Sequence, residues 1–377
     1  MIHQAIRGET THSLDECIQM EPQHINTLDD VGFAPLHWAV LKQDMATFQT
    51  LIKATANVNQ ETSHKRETPL HFACMNHNVD MVRTLLELGA STSSPDHEKW
   101  TPLHHAINYC QGQQQEMDVV QMLLDARADP CLGNVQGETP LHFLFGNHDM
   151  DPDHATALAT ALIDAGADLE IKDKYGRTPL LYSCLMACKN VSILIDLGAN
   201  VKAVDDNERN LLSELACNED DMNPSLLHPK LLVGVDPDLP DEEDETPLEF
   251  LDRRLRDPIM WQPLSIRVVV DMVDLILGTR EANWEAGLFL DKKEALEADG
   301  SHTRMRRWVM RQRRLMHRDE SWGDFDFEED DLLGWYQDEY SESTASDTDD
   351  DNNGSNGRDW SESEDSITFH DAHEILE

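Results

Sequence analysis

The chain has 377 residues, 40% of them hydrophobic, with 30 basic and 73 acidic side chains and a formal net charge of −43. That length holds two or three ordinary domains or one long solenoid. The charge excludes whole-molecule attraction to nucleic acid or to an anionic membrane surface, and the lack of any run of 18 apolar residues excludes a spanning helix.

In chain order, the opening MIHQAIRGET has no apolar h-region, so no signal peptide is expected. Ile2–Arg7 and His12–Met20 read as a short helical pair, which assigns residues 1–28 to a cap. One tetrapeptide then recurs: APLH at Ala34, TPLH at Thr68, Thr101 and Thr139, TPLL at Thr178 and TPLE at Thr246. Aligned on its proline, the copies fall at Pro35, Pro69, Pro102, Pro140 and Pro179, then Leu211 in a decayed copy, then Pro247. A second landmark follows in phase about 16 residues later, as in LLELGASTS from Leu85 and LIDLGANVK from Leu194.

Each unit predicts two short helices and a turn. Thr-Pro suits a helix start, because the hydroxyl can cap free amides and Pro has no N–H to leave unsatisfied. Val79, Val82, Leu85 and Leu86 recur at helical spacing, and Gly89, Gly166 and Gly198 supply the left-handed residue that ends a helix. One such pair cannot bury its apolar face alone, so neighbours must stack.

These residues resemble the ankyrin-repeat family, whose pattern is about 33 residues with T-P-L-H-x-A. The resemblance covers residues 29–278 in seven units, the sixth and seventh degenerate. It implies an all-α solenoid of stacked helix-turn-helix units. Extra residues in repeats three and four are expected between their helices, near Gln111–Gln115 and Asp149–Asp153. Repeat six reads RNLLSELA in place of the motif, and an acidic connection, VDPDLPDEEDE, precedes repeat seven.

His37, His71, His104 and His142 hold one place in four successive repeats. Helices pack roughly 8–10 Å apart, too far for equivalent histidines to share an ion with bonds of about 2 Å. The resemblance gives them a structural role instead, hydrogen-bonding the backbone of their own motif. Cys184 and Cys188 are two thiols on one helix face without a CxxC pair. The seven scattered cysteines suit reduced, intracellular core thiols. No G-x-S-x-G, H-E-x-x-H, P-loop or G-x-G-x-x-G occurs, so no catalytic, cofactor or metal site is expected.

The residue after the motif His is Trp38, Phe72, His105, Phe143 and Tyr182 in turn, a row expected to pack inside the stack. Partner binding, as the resemblance implies it, uses the turn tips and the exposed side of the first helix. Carried onto this chain, those positions are Val31, Phe33, His64, Lys65, Trp100, Lys174, Tyr175, Arg177 and Arg209, flanked by Asp30, His97, Glu98, Val135, Gln136, Asp206 and Asn207. Phe33 and Trp100 have two open uses, as interface anchors or tucked against the next repeat.

Residues 279–318 read as a linker with a basic helix, since RMRRWVMRQRRLMHR from Arg304 carries seven arginines and no acid. Nuclear import, a calmodulin-type contact, an anionic surface, or folding back on neighbouring acids all fit it. Residues 319–377 hold 22 acids and one base, and the composition predicts a disordered tail. Trp322, Phe325, Phe327, Trp335 and Tyr336 alternate with acids there, as in acidic activation segments; an acidic solubilising tail is the plainer use. Together these features predict a non-enzymatic protein–protein interaction module. It is expected to be a nuclear coregulator with one protein partner on the repeats and a second on the tail; the alternative is a cytoplasmic scaffold or adaptor in ubiquitin ligation or a signalling complex.

Overall fold

The computed structural model describes residues 1–110, 112–146, 150–186, 189–217, 227–256 and 266–288. The chain divides into two units, Met1–Phe327 and Glu328–Glu377, and every described residue belongs to the first. The basic stretch at 304–318 and the acidic segment at 319–377 lie outside the described residues.

Among the described residues the regular elements are helical. The first helices of the repeats are α3 (Pro35–Leu41), α5 (Pro69–Met75), α7 (Pro102–Asn108), α9 (Pro140–Gly146), α11 (Pro179–Leu185) and α13 (Leu211–Cys217). Each runs for seven residues. Their second helices are α4 (Met45–Lys53), α6 (Val79–Glu87), α8 (Gln114–Asp125), α10 (Pro152–Asp164) and α12 (Val191–Asp196). First helices pack on first helices down the row, α5 on α7, α7 on α9, α9 on α11 and α11 on α13. Second helices form the other layer, α6 on α8, α8 on α10 and α10 on α12. The N-terminal pair α1 (Ile2–Arg7) and α2 (Leu14–Met20) continues both layers, packing on α3 and α4.

The Leu of each tetrapeptide faces inward. Leu36, Leu70, Leu103, Leu141 and Leu180 are at most 1% exposed, as is Leu212 in the decayed copy. From the second helices come Phe48, Leu51, Leu85, Leu123, Leu162 and Leu194, all fully buried. Every repeat therefore supplies apolar area on two sides. At about 25 cal/mol per Å² of apolar area, that burial is the main favourable term, and it exists only while a neighbour is present.

The extra residues of repeats three and four are not all connection. Gln114 and Gln115 lie inside α8 and Pro152 and Asp153 inside α10. These helices run to 12 and 13 residues, where α4 and α6 have nine. The added turn forms because it finds its own caps. Glu116 Oε2 accepts the amides of Gly112 and Gln113 at 2.7 and 2.8 Å, and Asp151 accepts the amide of His154.

Repeat six differs after α13: the next described element in the chain is a 3-10 turn, Pro229–Leu232, against which α15 (Ile266–Glu285) packs. Gly278, expected at the end of the array, is interior to α15. A Cβ there would lie 2.6 Å from Pro229 Cγ, so glycine is what lets the helix approach the turn. Helix α14 (Pro247–Arg256) packs on α13 and begins with a Thr246–Glu249 capping pair.

Gly89, Gly166 and Gly198 take φ of +82°, +102° and +96° two residues past the ends of their helices, as the landmark predicts. In repeats one and three the same place is held by Thr55 (φ 65°) and Arg127 (φ 62°). A β-branched residue in the left-handed region is strained by about 1–2 kcal/mol. Thr55→Gly should therefore raise stability by roughly 1 kcal/mol in urea denaturation, with an unchanged m-value.

Candidate functional site

The tips of the repeats are built from one repeated device. Asp29, Asp96, Asn134, Asp173, Asp205 and Asp241 each begin a turn closed by a backbone bond from their own N–H to the carbonyl four residues on. Their side chains accept amides inside the same turn. Asp29 Oδ1 takes those of Val31 and Phe33, Asp173 Oδ1 those of Tyr175 and Arg177, and Asp205 Oδ1 those of Asn207 and Arg209, all at 2.8–3.1 Å. Asp and Asn do this because their short side chains reach the backbone two and four residues ahead. In repeat two Thr62 replaces the acid, its hydroxyl accepting from Glu67 N–H at 3.0 Å.

Successive tips are tied by one backbone bond each: Ser63 N–H to Gly32 O, His97 to Lys65, Val135 to Glu98, Lys174 to Gln136, Asp206 to Tyr175 and Glu242 to Asn207, at 2.7–3.1 Å. The tips form a row whose geometry is held by these backbone bonds. The side chains of the tips project from that row toward a partner.

Nine residues after each turn acid lies the row of rings. Trp38 Nε1 donates to Asp29 Oδ2 at 2.8 Å, and His105 Nε2 lies 3.1 Å from Asp96 Oδ2. Phe72, His105 and Tyr182 are buried and Trp38 and Phe143 half-buried, so the row packs mainly inside the stack. In repeat six the ring position holds Glu214, only 2% exposed and hydrogen-bonded to Asp205. Burial, then the neighbouring Asp205 charge, pushes its carboxyl up to about 8. A neutral Glu214 donates to Asp205 as Trp38 donates to Asp29.

The motif histidines are fully buried. Thr68, Thr101 and Thr139 donate their amides to Nδ1 of His71, His104 and His142 at 2.9–3.1 Å, and Ala34 does the same for His37. The threonine hydroxyl also contacts Nδ1 at 2.8–2.9 Å, so it serves the ring and not a helix amide. Thr178, followed by Leu181 instead of His, caps an amide itself at 3.4 Å, as Thr246 does for Glu249 at 3.3 Å. An Nδ1 that accepts an amide carries no proton, which leaves Nε2–H as the donor. Nε2 of His71, His104 and His142 reaches Trp100 O, Glu138 O and Arg177 O in the following repeat, and His37 reaches Gln60 O, at 2.9–3.2 Å. The histidines thus bridge repeats as well as closing their own motif. Burial lowers all four to about 4.

Of the tip residues carried over from the resemblance, His64, Lys65, Lys174, Val31 and Tyr175 are exposed, the last two by 52% and 49%. Phe33 and Trp100 are half-buried within the array. Phe33 packs on Trp38 and Phe72 at 5.4 and 5.7 Å, and Trp100 on His105 and Phe143 at 5.2 and 4.5 Å. Arg177 binds Asp173 at 2.6 Å and lies 4.5 Å from the Tyr175 ring centre, and Arg209 reaches Asp241 at 3.4 Å. These four hold the tips in shape. Exposed Arg66 and Lys99 were not among the predicted residues; the sequence signal for them is position alone, the residue before the last of each turn. Cys17, Cys74, Cys110 and Cys184 are buried and outside any disulfide, while Cys188 lies outside the described residues.

Helix pairs in two layers, with acid-locked tips tied in a row, define a repeat solenoid that presents side chains from a rigid edge. A family model for ankyrin repeats matches residues 36–132 and 110–205, and this part of the chain is an array of ankyrin repeats. The chain is 30% identical to the B-cell lymphoma 3 protein homolog of Mus musculus over 185 residues, 47% of this chain and 39% of that protein. It is 28% identical to the Putative palmitoyltransferase ZDHHC13 of Danio rerio over 57% of this chain and 32% of that protein. It is 36% identical to Ankyrin repeat and SOCS box protein 11 of Mus musculus over 29% of this chain and 31% of that protein. The chain spans roughly a third of the length of these relatives, so their names bring no activity to it. No helix among the described residues is long and apolar enough to cross a membrane.

Two pH effects follow. A histidine lowered from 6.5 to about 4 stabilises the fold above 6.5, and that stability is lost as pH falls toward 4, by up to about 1.4 kcal/mol per pH unit for each ring. His142→Leu, which copies Leu181, should cost about 1–3 kcal/mol at pH 7 and flatten the acid limb of a stability–pH curve by one histidine. Glu214 has the opposite sign. Raised from 4.5 to about 8, it contributes stability that is lost as pH rises across that window. Glu214→Gln keeps a neutral donor toward Asp205 and should remove the decline between pH 6 and 8 in denaturant titrations.

Proposed function

We propose that residues 29–278 act as a protein-recognition scaffold with no catalytic role, capped by residues 1–28, linked through 279–318 to an acidic tail at 319–377. The observation that carries this reading is the row of exposed side chains on rigid tips, Val31, His64, Lys65, Lys174 and Tyr175. Apolar, aromatic and basic groups on a preorganised edge are what an interface uses, since no loop ordering has to be offset on binding. Within a chain of net charge −43, the tips of repeats two, three and five present Lys65, Arg66, Lys99 and Lys174. Arg66 is held by Glu61 and Glu98 stands next to Lys99, so Lys65 and Lys174 are the basic groups offered to an acidic side chain of a partner.

The basic stretch at 304–318 and the alternation of aromatics with acids after Asp319 support a nuclear setting, with the repeats holding one protein and the tail recruiting another in transcription regulation. The second reading, a cytoplasmic scaffold or adaptor, is favoured by the likeness to Ankyrin repeat and SOCS box protein 11. A reporter tethered to residues 319–377 separates them: activation is expected for the coregulator, and silence at normal expression removes it.

On the repeats, Tyr175→Ala and Lys65→Glu should weaken partner capture by the full chain about tenfold, near 1.4 kcal/mol, without lowering the melting temperature. Trp100→Ala should instead lower stability by about 2 kcal/mol, because its ring fills the space between His105 and Phe143. If Tyr175→Ala unfolds the array, or leaves capture unchanged, the tips are not the binding edge.

A further inference from the structure

Repeat three breaks the row of rings with a histidine. His105 is 5% exposed, one of its nitrogens faces Asp96 Oδ2 at 3.1 Å, and its Nδ1 is buried with no hydrogen-bond partner. Glu67, from the end of the repeat-two turn, is also 5% exposed, and its carboxylate has no hydrogen-bond or ion-pair partner among the described residues. One ligand atom from each of Glu67, Asp96 and His105 lies within 4.8 Å of the other two. Two carboxylates and an imidazole have thus been brought together in a largely buried place, with a single hydrogen bond, Asp96 to His105, between them. Burying paired acids that way is unfavourable unless a proton or a cation joins them.

We propose that Glu67, Asp96 and His105 form a binding site for a divalent transition-metal ion of the zinc type, which would clamp repeat two to repeat three. A mixed nitrogen and oxygen donor set suits zinc, with bonds of about 2.0–2.2 Å. Ligand atoms around a tetrahedral ion of that size stand about 3.3–3.5 Å apart, so the cluster contracts by little more than 1 Å to close on it. The supporting geometry is in place. Asp96 Oδ1 is held by the Trp100 amide at 2.8 Å, which aims Oδ2 at His105. Glu67 is fixed at its backbone by Thr62, whose hydroxyl accepts Glu67 N–H at 3.0 Å and whose own N–H donates to Glu67 O at 2.9 Å. The His105 ring is wedged by His71 and Trp100, 5.4 and 5.2 Å away between centres. Two negative ligands balance the charge of the ion. Three protein ligands leave a fourth position for water or a partner's side chain.

The test is a zinc titration of the metal-stripped full chain, with excess magnesium present to occupy sites made of exposed carboxylates alone. Calorimetry reads stoichiometry and affinity, and thermal melting reads the clamp. One zinc per chain should bind and raise the melting temperature, and both effects should fall at least tenfold in affinity, or vanish, in His105→Phe and Glu67→Gln. His105→Phe installs the ring that Phe72 and Phe143 already provide in the same position, so it should fold. If it does not melt cooperatively, Glu67→Gln carries the test. Equal zinc affinity in wild type and the folded variants, or no rise in melting temperature for wild type, overturns the site and leaves a proton on Glu67 as what neutralises the cluster.

Discussion

The buried motif histidine is the contact on which the stack most depends. Apolar burial holds the repeats together, but it is non-directional and would tolerate sliding. A neutral ring with Nδ1 accepting from its own helix start and Nε2 donating to the carbonyl before the next one sets both distance and register. Four such rings in succession repeat the same pair of bonds from repeat one to repeat five. Where the ring is missing, after Leu181 and Ser213, other devices replace it: Thr178 caps an amide, and Asn210 accepts those of Leu212 and Ser213 while donating to Asp236 O.

The same logic explains the tips. Each turn acid satisfies one or two amides that a short loop would leave bare, and in Asp29 and Asp96 the other oxygen meets the side chain nine residues on. Donors there vary with the repeat, an indole in Trp38, an imidazole in His105 and a protonated carboxyl in Glu214. The position is constant and its chemistry is not, which is how one scaffold acquires titratable or metal-ligating groups without altering its fold. The C-terminal end is fastened differently. Arg280 of α15 bonds Asp238, and Asn283 exchanges bonds with Gly234 and Val235, so that polar groups do there what packed repeats do elsewhere.

Recurrence of Thr-Pro-Leu-His in phase with the Leu-Gly landmark was enough, by itself, to determine helix pairs, their order and their stacking, because those depend on local start and stop signals and on a period of about 33 residues. It also determined that the histidines are structural. It placed Val31, Lys65, Lys174 and Tyr175 on tips, since tip positions are fixed by distance from the proline. Tertiary structure alone decided how those tips are used. Phe33 and Trp100 look alike in sequence to any exposed aromatic, yet their rings fill gaps against Phe72 and Phe143 that exist only once the next repeat has docked. Inserted residues in repeats three and four lengthen helices because Glu116 and Asp151 happen to cap them there. Glu67, Asp96 and His105 are separated by 29 and nine positions, and no local spacing joins them; they meet because stacking superimposes the end of one turn on the ring position of the next.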